Sequence, residues 1–433
     1  MNPEYIGVLG LCGMFLLIFA GVPVGFSMML SGFIGYSALT VVTGGLSLLA
    51  QVPYAASANY PLSALPLFVL MGNFAFHSRM TEDAYTAAYK WLGHLPGGLA
   101  MSTIGGCAIF SAVSGSSLAT MGTMTKVSLP EMLRYNYDPR LALGSLAAGG
   151  TLGILIPPST IFIIYGLYGG VSVGRLFMAG FIPGILLACL FSSVIFLWTM
   201  VNPSIGPSGP RAGWYEKFRA MKDSWALIAV MLLVLGGIWG GIFTPTEAGS
   251  IGAFGVFLIA AMRKLLTMKN IIEALKDTAK TATMIFFLLI GAEIFGNFMA
   301  LSMLPMKLAG FVNELQISPV GVVIAMLIIY IFMGCLMETA SMILLTLPIF
   351  LPILNSLGVD LVWFGVLLII VCEMGMITPP MGINVFILSG MAEGIPMYAI
   401  FKGVLPFVFA MLICMLMVII FPKIALFLPG IMF

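Results

Sequence analysis

The stretch Gly149–Gly166, GGTLGILIPPSTIFIIYG, is apolar enough to lie in lipid, yet Pro157 and Pro158 interrupt it. Proline removes a backbone donor and clashes with the preceding turn, so a helix here must break near Ile156. Broken backbone at membrane depth is tolerated only where its freed groups are buried in protein or line a wet site. The stretch also has an echo. Gly375–Gly390 reads GMITPPMGINVFILSG, and Gly375, Pro379 and Pro380 each stand 222 residues after Gly153, Pro157 and Pro158. Two broken helices in matching halves point to a secondary transporter, whose ion and substrate sites are built at such breaks.

Composition fixes the solvent. Of 433 residues, 61% are hydrophobic and 8% charged, against about 25% charged in a soluble domain. Such a chain has room for about ten spans. A net charge of +2 argues against a nucleic-acid partner. No Lys or Arg precedes the first apolar run, which therefore reads as a first span and not a cleaved signal. Cys12, Cys107, Cys189, Cys335, Cys372 and Cys414 sit in apolar runs without CxxC spacing, which predicts buried core thiols.

In chain order, residues 5–22 and 24–42 predict two spans joined at Gly21–Gly25. Residues 47–64 are weakly apolar and read as lying along the membrane surface. A third span follows near Leu65–His77, and Thr81–Leu95 is amphipathic, with Trp91 and the tyrosines as interfacial anchors. Residues 97–133 form two arms broken at Ser114–Ser117. Each arm is marginal for a full crossing, so a re-entrant hairpin is expected. The broken helix occupies about 139–169 and a further span about 174–200, which closes a first repeat at 1–200. Residues 201–223 are polar and Pro/Gly-rich and read as a cytoplasmic linker. The repeat at 224–433 restates the plan. Pro245 answers Pro23, a span near 281–302 answers 65–79, and Pro352 answers Pro130, which places a second hairpin at about 319–357 and a second broken helix at about 362–390. The predicted fold is an all-α polytopic membrane protein, an inverted repeat with two re-entrant helical hairpins and two broken helices.

Charge orients it. With five crossings per half the second half starts on the opposite side, and an outside N-terminus puts most basic residues inside. The inner set is Arg79, Lys90, Lys126, Arg134 and Arg140, then the clusters at 211–222 and 263–280, then Lys402. Arg175, Lys307 and Lys423 remain outside. One hairpin then enters from the cytoplasm and the other from outside.

The first tip, SAVSGSSLAT (Ser111–Thr120), concentrates hydroxyls beside a glycine. Hydroxyl and carbonyl oxygens suit a hard monovalent cation, and free helix N-termini suit an anion. Together with the carbonyls freed by the Pro157–Pro158 break, this tip predicts a Na⁺ site; small residues for tight helix packing are the plainer alternative. The second tip, METAS (Met337–Ser341), faces Thr378–Gly382 and Asn384 and predicts a second Na⁺ site. Substrate is expected between the tips, bordered by Ser114, Ser159, Glu338, Glu373 and Asn384. A carboxylate at mid-bilayer costs at least about 2.5–3.5 kcal/mol, so Glu338 and Glu373 need a cation or a proton. Glu247, in TPTEAG, reads as interfacial or structural, and Glu293 is equally open to structural pairing and to function. A membrane serine hydrolase fails for want of a base, because His77 and His94 both fall near the inner interface. No metal or phosphate-cradling motif is present, so neither an enzyme nor an ATP-driven pump is expected.

At SGSSLAT, GILIPPS, METAS and ITPPMGIN, in that order and spacing, the chain resembles the large membrane subunit of TRAP transporters (tripartite ATP-independent periplasmic, DctM type), over nearly its whole length. The resemblance implies an elevator-type carrier in a bacterial inner membrane, driven by about two Na⁺ ions. It places Na⁺ ligands at Ser116, Ser117, Thr120, Gly153 and Pro157, and at Thr339, Ser341, Thr378 and Gly382. It also implies two partners, a small four-helix membrane subunit on a separate chain and a periplasmic substrate-binding protein. The implied cargo is an organic anion such as sialic acid or a C4-dicarboxylate. With no basic residue expected deep in the membrane, helix ends, hydroxyls and bound Na⁺ must supply the positive field. A self-sufficient Na⁺- or H⁺-coupled dicarboxylate carrier of the same architecture is the alternative, and a purely structural subunit fits two symmetric breaks poorly.

Overall fold

The computed structural model describes residues 2–78, 80–392 and 394–432, and among these every regular element is helical. Arg79, counted above among the inner cations, lies outside the described residues. The first half comprises α1 (Pro3–Phe19), α2 (Val24–Leu39), α3 (Val42–Ser57), α4 (Ala64–His77), α5 (Met80–Leu92), α6 (Gly98–Ser114), α7 (Ser117–Arg134), α8 (Pro139–Leu155), α9 (Thr160–Gly169) and α10 (Val173–Val201). After α11 (Trp214–Asp223) come α12 (Trp225–Trp239), α13 (Pro245–Met262), α14 (Met268–Ser302), α15 (Leu304–Glu314), α16 (Pro319–Gly334), α17 (Thr339–Ser356), α18 (Leu361–Ile377), α19 (Ile383–Met391), α20 (Met397–Ile420) and α21 (Lys423–Met432). The 222-residue offset carries both ends of α7 onto α17 and both ends of α8 onto α18. Among the described residues, five helices are long and apolar enough to cross a membrane alone, and up to seven if each bent pair counts as one span.

Local chemistry sets these ends. Pro23 lies at the N-cap of α2, and prolines open α1, α8, α13, α15 and α16, where a missing N–H costs nothing. Asp138 accepts from the Arg140 N–H at 2.8 Å at the start of α8, and Asp360 accepts from the Val362 and Trp363 N–H groups at the start of α18. The Arg140 guanidinium, hydrogen-bonded to Asp138, holds that carboxyl below its ordinary range. Glu247 has a structural job. It closes a capping box with Thr244, its carboxylate accepting from the Thr244 N–H and hydroxyl, both at 2.8 Å.

Several elements depart from expectation. The stretch 47–64, read as lying along the membrane surface, is mostly helix, with α3 packed on α2 and α14. The span near 281–302 is the end of a 35-residue helix. The first half breaks between α3 and α4 at Asn59–Pro61, whereas the matching positions in α14 hold no proline or glycine. Helix α5 packs along α6, and its Tyr85 is buried there instead of anchoring at the interface. The linker holds a helix, α11, whose Trp214 and Phe218 stack on each other and meet Trp91 edge to face. Four cysteines are buried as expected, but Cys12 and Cys189 lie on exposed helix faces.

Two interleaved groups result. In one, α2 crosses α14 where Gly25 and Gly32 meet Phe287, Gly291 and Phe295, and α4 packs on α13 through Gly249 and Gly252. The other holds both hairpins and both broken helices, joined where α8 crosses α20 at Gly144 and Gly403. At one end of the molecule, Lys90–Glu216 (3.1 Å), Arg263–Asp83 (2.7 Å) and His77–Asp277 (3.2 Å) tie together segments that charge assigns to the inner side. Glu4 and Lys307 pair with each other.

The α8–α20 crossing yields a stability prediction of opposite sign to helix propensity. A Cβ on Gly403 would stand 2.0 Å from the Arg140 carbonyl oxygen, a backbone atom that cannot swing aside. Gly403→Ala is therefore expected to cost about 1–3 kcal/mol despite alanine's higher propensity. Gly236→Ala, whose Cβ would meet nothing within 4 Å, is expected to be neutral or stabilising. Thermal unfolding of the detergent-purified protein compares them directly.

Candidate functional site

The first hairpin turns at Gly115, the left-handed C-cap of α6 (φ +59°), and α7 begins at Ser116, whose hydroxyl accepts from the Ala119 N–H at 3.4 Å. The turn leaves the Gly115 carbonyl to be satisfied from elsewhere. Thr160 supplies that partner, its hydroxyl donating at 2.8 Å and its N–H at 3.4 Å. Thr160 opens α9, immediately after the break, and Ser159 caps the same helix by accepting from the Phe162 N–H. A hairpin tip and a broken helix are thus clasped through their buried ends. The pair α8 and α9 bends by 43° at the break, and residues 156–159 are all buried. Both the Pro157–Pro158 and the Pro379–Pro380 peptide bonds are cis.

Gly153 makes the approach of α8 possible. A Cβ there would stand 2.5 Å from the Ser116 carbonyl oxygen and 2.8 Å from the Thr120 hydroxyl. That hydroxyl is buried with no hydrogen-bond partner among the described residues, and the Ser114 hydroxyl donates to the Ser116 carbonyl at 3.3 Å. Ser114, Ser116, Ser117, Thr120, Gly153 and Ser159 therefore fall in one neighbourhood, with the Pro157–Pro158 break beside it.

The second tip differs in chemistry. Residues 335–338 join α16 to α17, and Glu338 takes the N-cap position without capping through its side chain. The Thr339 hydroxyl donates to Glu373 Oε1 at 3.1 Å and also stands 3.0 Å from the Met376 sulfur. Glu373 is 1% exposed, and its Oε2 has no partner among the described residues. Among the described residues no cationic side chain pairs with it, so burying this carboxylate calls for a counter-charge or a proton. The Cys335 thiol reaches the Pro379 carbonyl at 3.2 Å, which joins the tip to the second break. Thr378 turns its hydroxyl back to Met374 O at 2.5 Å, and Gly382 holds a left-handed turn (φ +53°) before α19. Asn384 is fully buried, and neither of its side-chain polar atoms has a partner among the described residues. Ser341 is buried in the first turn of α17, and residues 379–381 of the second break are exposed, unlike the first break.

The tips meet. A small void of about 40 Å³ is lined by Ser116, Ser117 and Thr160 from the first site and by Glu338, Thr339 and Met376 from the second. That is ample room for a single ion or water. Beside it lies a cavity of about 650 Å³, bounded by Ser114, Ser116 and Thr160 on one side and by Glu338 and Ala340 on the other, and continuing to Lys126, Asp277 and Lys280. Two lysines, both already assigned by charge to the inner side, stand on this wall away from the tips. Thr160, Met376, Lys126 and Lys280 were not picked out from sequence as site residues. Lys126 had a readable signal, since it lies ten residues after Ser116 on the same face of a helix. Lys280 had none, because nothing in its local pattern ties it to the first hairpin.

The profile of the DctM component of tripartite ATP-independent periplasmic transporters matches residues 11–424. The sialic acid TRAP transporter large permease protein SiaM of Vibrio cholerae is 32% identical over 414 residues, 95% of this chain and 96% of that one. The C4-dicarboxylate TRAP transporter large permease protein DctM of Pseudomonas aeruginosa is 34% identical over 379 residues, 87% and 88% of the two chains. In fold, the YdaH transporter of Alcanivorax borkumensis superposes with a TM-score of 0.61 at 13% identity, covering 97% of this chain and 98% of that one. This membrane chain belongs to the DctM family, as the large permease of a TRAP transporter and not an enzyme.

Proposed function

We propose that this permease couples Na⁺ entry to import of an organic anion. The observation that supports it most is the convergence of both hairpin tips and the first break on one cavity, with buried oxygens left unpartnered around it. Thr120, Ser116 and the carbonyls backed by Gly153 offer neutral oxygen ligands for one Na⁺. Thr339, Glu373 and Thr378 offer a second set that carries negative charge. Two lysines on the cavity wall favour an anionic cargo. Relatives are named for sialic acid, C4-dicarboxylate, isethionate and ectoine, and the first three of these cargoes are anions.

In this reading the group built of α2, α4, α13 and α14 is a fixed scaffold, and the hairpin group slides against it as an elevator. The N-terminus lies outside, in a bacterial inner membrane, and the cavity opens toward the cytoplasm. A periplasmic binding protein delivers the substrate, and a small four-helix subunit supports the scaffold. A carrier that takes free substrate without a binding protein remains the competing reading. Proteoliposomes holding the permease and its small subunit decide between them. Uptake that needs both a Na⁺ gradient and substrate-loaded binding protein establishes the tripartite form, and Na⁺-driven uptake of free substrate establishes the other.

Two outcomes follow for the ions. Gly153→Ala pushes against the Ser116 carbonyl and Thr120, and Thr339→Ala removes an oxygen beside Glu373. Each is expected to raise the half-saturating Na⁺ concentration about tenfold, read from initial uptake rates. Unchanged Na⁺ dependence in both variants would remove Na⁺ from these sites. The charge count is tested separately. A 100 mV potential is worth ~2.3 kcal/mol per charge and a tenfold Na⁺ gradient ~1.4 kcal/mol per ion. Two Na⁺ with a monoanion gain about 5 kcal/mol and respond to voltage, whereas two with a dianion gain about 2.8 kcal/mol and do not. Uptake of a monoanion is expected to rise when a K⁺ diffusion potential is made inside-negative, and a flat response overturns the two-ion count.

A further inference from the structure

The cavity has a charged gradient along its length. On α7 its wall is formed by Ser116, Ala119, Thr123 and Lys126, at steps of three and four that place them on one helix face. On α14 it is formed by Asp277, Lys280, Thr281 and Met284, again a single face. The ten residues from Ser116 to Lys126 climb about 15 Å, so the lysine lies well beyond the tip, at the end of the cavity near His77 and Asp277. Between them the floor is small, and a Cβ on Gly122 would meet nothing within 4 Å.

The charged side chains differ between the two ends: carboxylates alone at the tip, and at the far end Lys126 and Lys280 beside Asp277, with Glu82 on an adjoining cavity that Lys126 also lines. At the tip end the side chain with ionic charge is the Glu338 carboxylate, with Glu373 behind Thr339. At the far end stand Lys126 and Lys280. Asp277 shares that end but is engaged by His77 at 3.2 Å, and Glu273 lies 3.9 Å from the other nitrogen of the same ring. Neither lysine has an ion-pair partner among the described residues, and Lys126 stands 5.3 Å from the centre of the Phe76 ring. Lys126 belongs to the hairpin group and Lys280 to the scaffold group, so the pair bridges the two.

We infer that Lys126 and Lys280 form a second anion-binding station, for a carboxylate or sulfonate group that has left the hairpin tips. The inference rests on the proposed anion transport. While Na⁺ neutralises the tip, an anion is held there; once Na⁺ leaves, the exposed Glu338 repels it and the lysines draw it along α7. Unpaired cations on the wall of a narrow cleft raise the local anion concentration and speed passage through it. The station therefore acts on release and leaves loading from the far side unaffected.

The test compares wild type with Lys126→Gln, Lys280→Gln, the double variant, and the double Lys→Arg variant, each reconstituted with the small subunit. Initial uptake is measured with succinate, N-acetylneuraminate and isethionate, each with its binding protein. The double Gln variant is expected to lose about tenfold or more in maximal rate for the transported anion, with little change in half-saturation, and the Arg variant to recover most of it. Gly122→Leu, which fills open space, is expected to slow the same step without lowering thermal stability. A double Gln variant that transports the anion at the wild-type rate overturns the station. Wild-type protein that carries none of the three anions, and carries ectoine instead, overturns the anion reading itself, so the two failures are distinguishable.

Discussion

Everything at the centre of this permease follows from one constraint. A helix broken within a membrane must find partners for the backbone groups it frees, and lipid offers none. At the first break part of the solution is local: Thr160 donates twice to the Gly115 carbonyl, so the end of a hairpin and the start of a half-helix are joined. That clasp explains why hydroxyl residues cluster at Ser114–Ser117 and again at Ser159 and Thr160. They are there first because unpaired carbonyls and N–H groups at this depth are costly. Once assembled, the same oxygens form a polar pocket in an apolar interior, and it is there that the proposed ion and substrate sites fall.

Close approach is the second requirement, and glycine meets it. Gly153 admits the Ser116 carbonyl against α8, and Gly334 and Gly375 let α16 and α18 touch backbone to backbone, at 2.6 Å from the would-be Cβ of Gly375. In water such contacts would be one packing option among many. Between apolar helices in lipid, close packing and a few polar contacts are the main means of holding helices together. The scaffold uses the same device at Gly25, Gly32 and Gly291, where α2 and α14 cross.

Much of this was legible because the signals were local or repeated. The Pro157–Pro158 break, the tip at Ser114–Ser117 and the 222-residue echo each rest on residues adjacent in sequence, and the helix ends fall where those residues place them. What was not legible depended on partners distant in the chain. Nothing within residues 268–302 says that its matching segments fuse into one helix until the missing proline is compared with Pro61. Tyr85 looks like an interfacial anchor until α6 is seen to cover it. Lys126 reads as an inner-loop cation, and only the facing of α7 and α14 places it on a cavity wall shared with Lys280.

The repeat is also less symmetric in chemistry than in shape. Gly153 and Gly375 occupy equivalent positions, yet the first looks onto a carbonyl and a hydroxyl, and the second onto another glycine. The first tip brings serines; the second brings Glu338 and Thr339, with Glu373 behind them. Neutral oxygens hold a cation by dipoles alone, weakly and reversibly, whereas a buried carboxylate needs a positive charge whenever it is ionised. Two copies of one backbone plan have thus acquired different electrostatic roles. An ionised Glu373 behind the second tip must be met by a cation or a proton, whereas the serines of the first tip impose no such requirement.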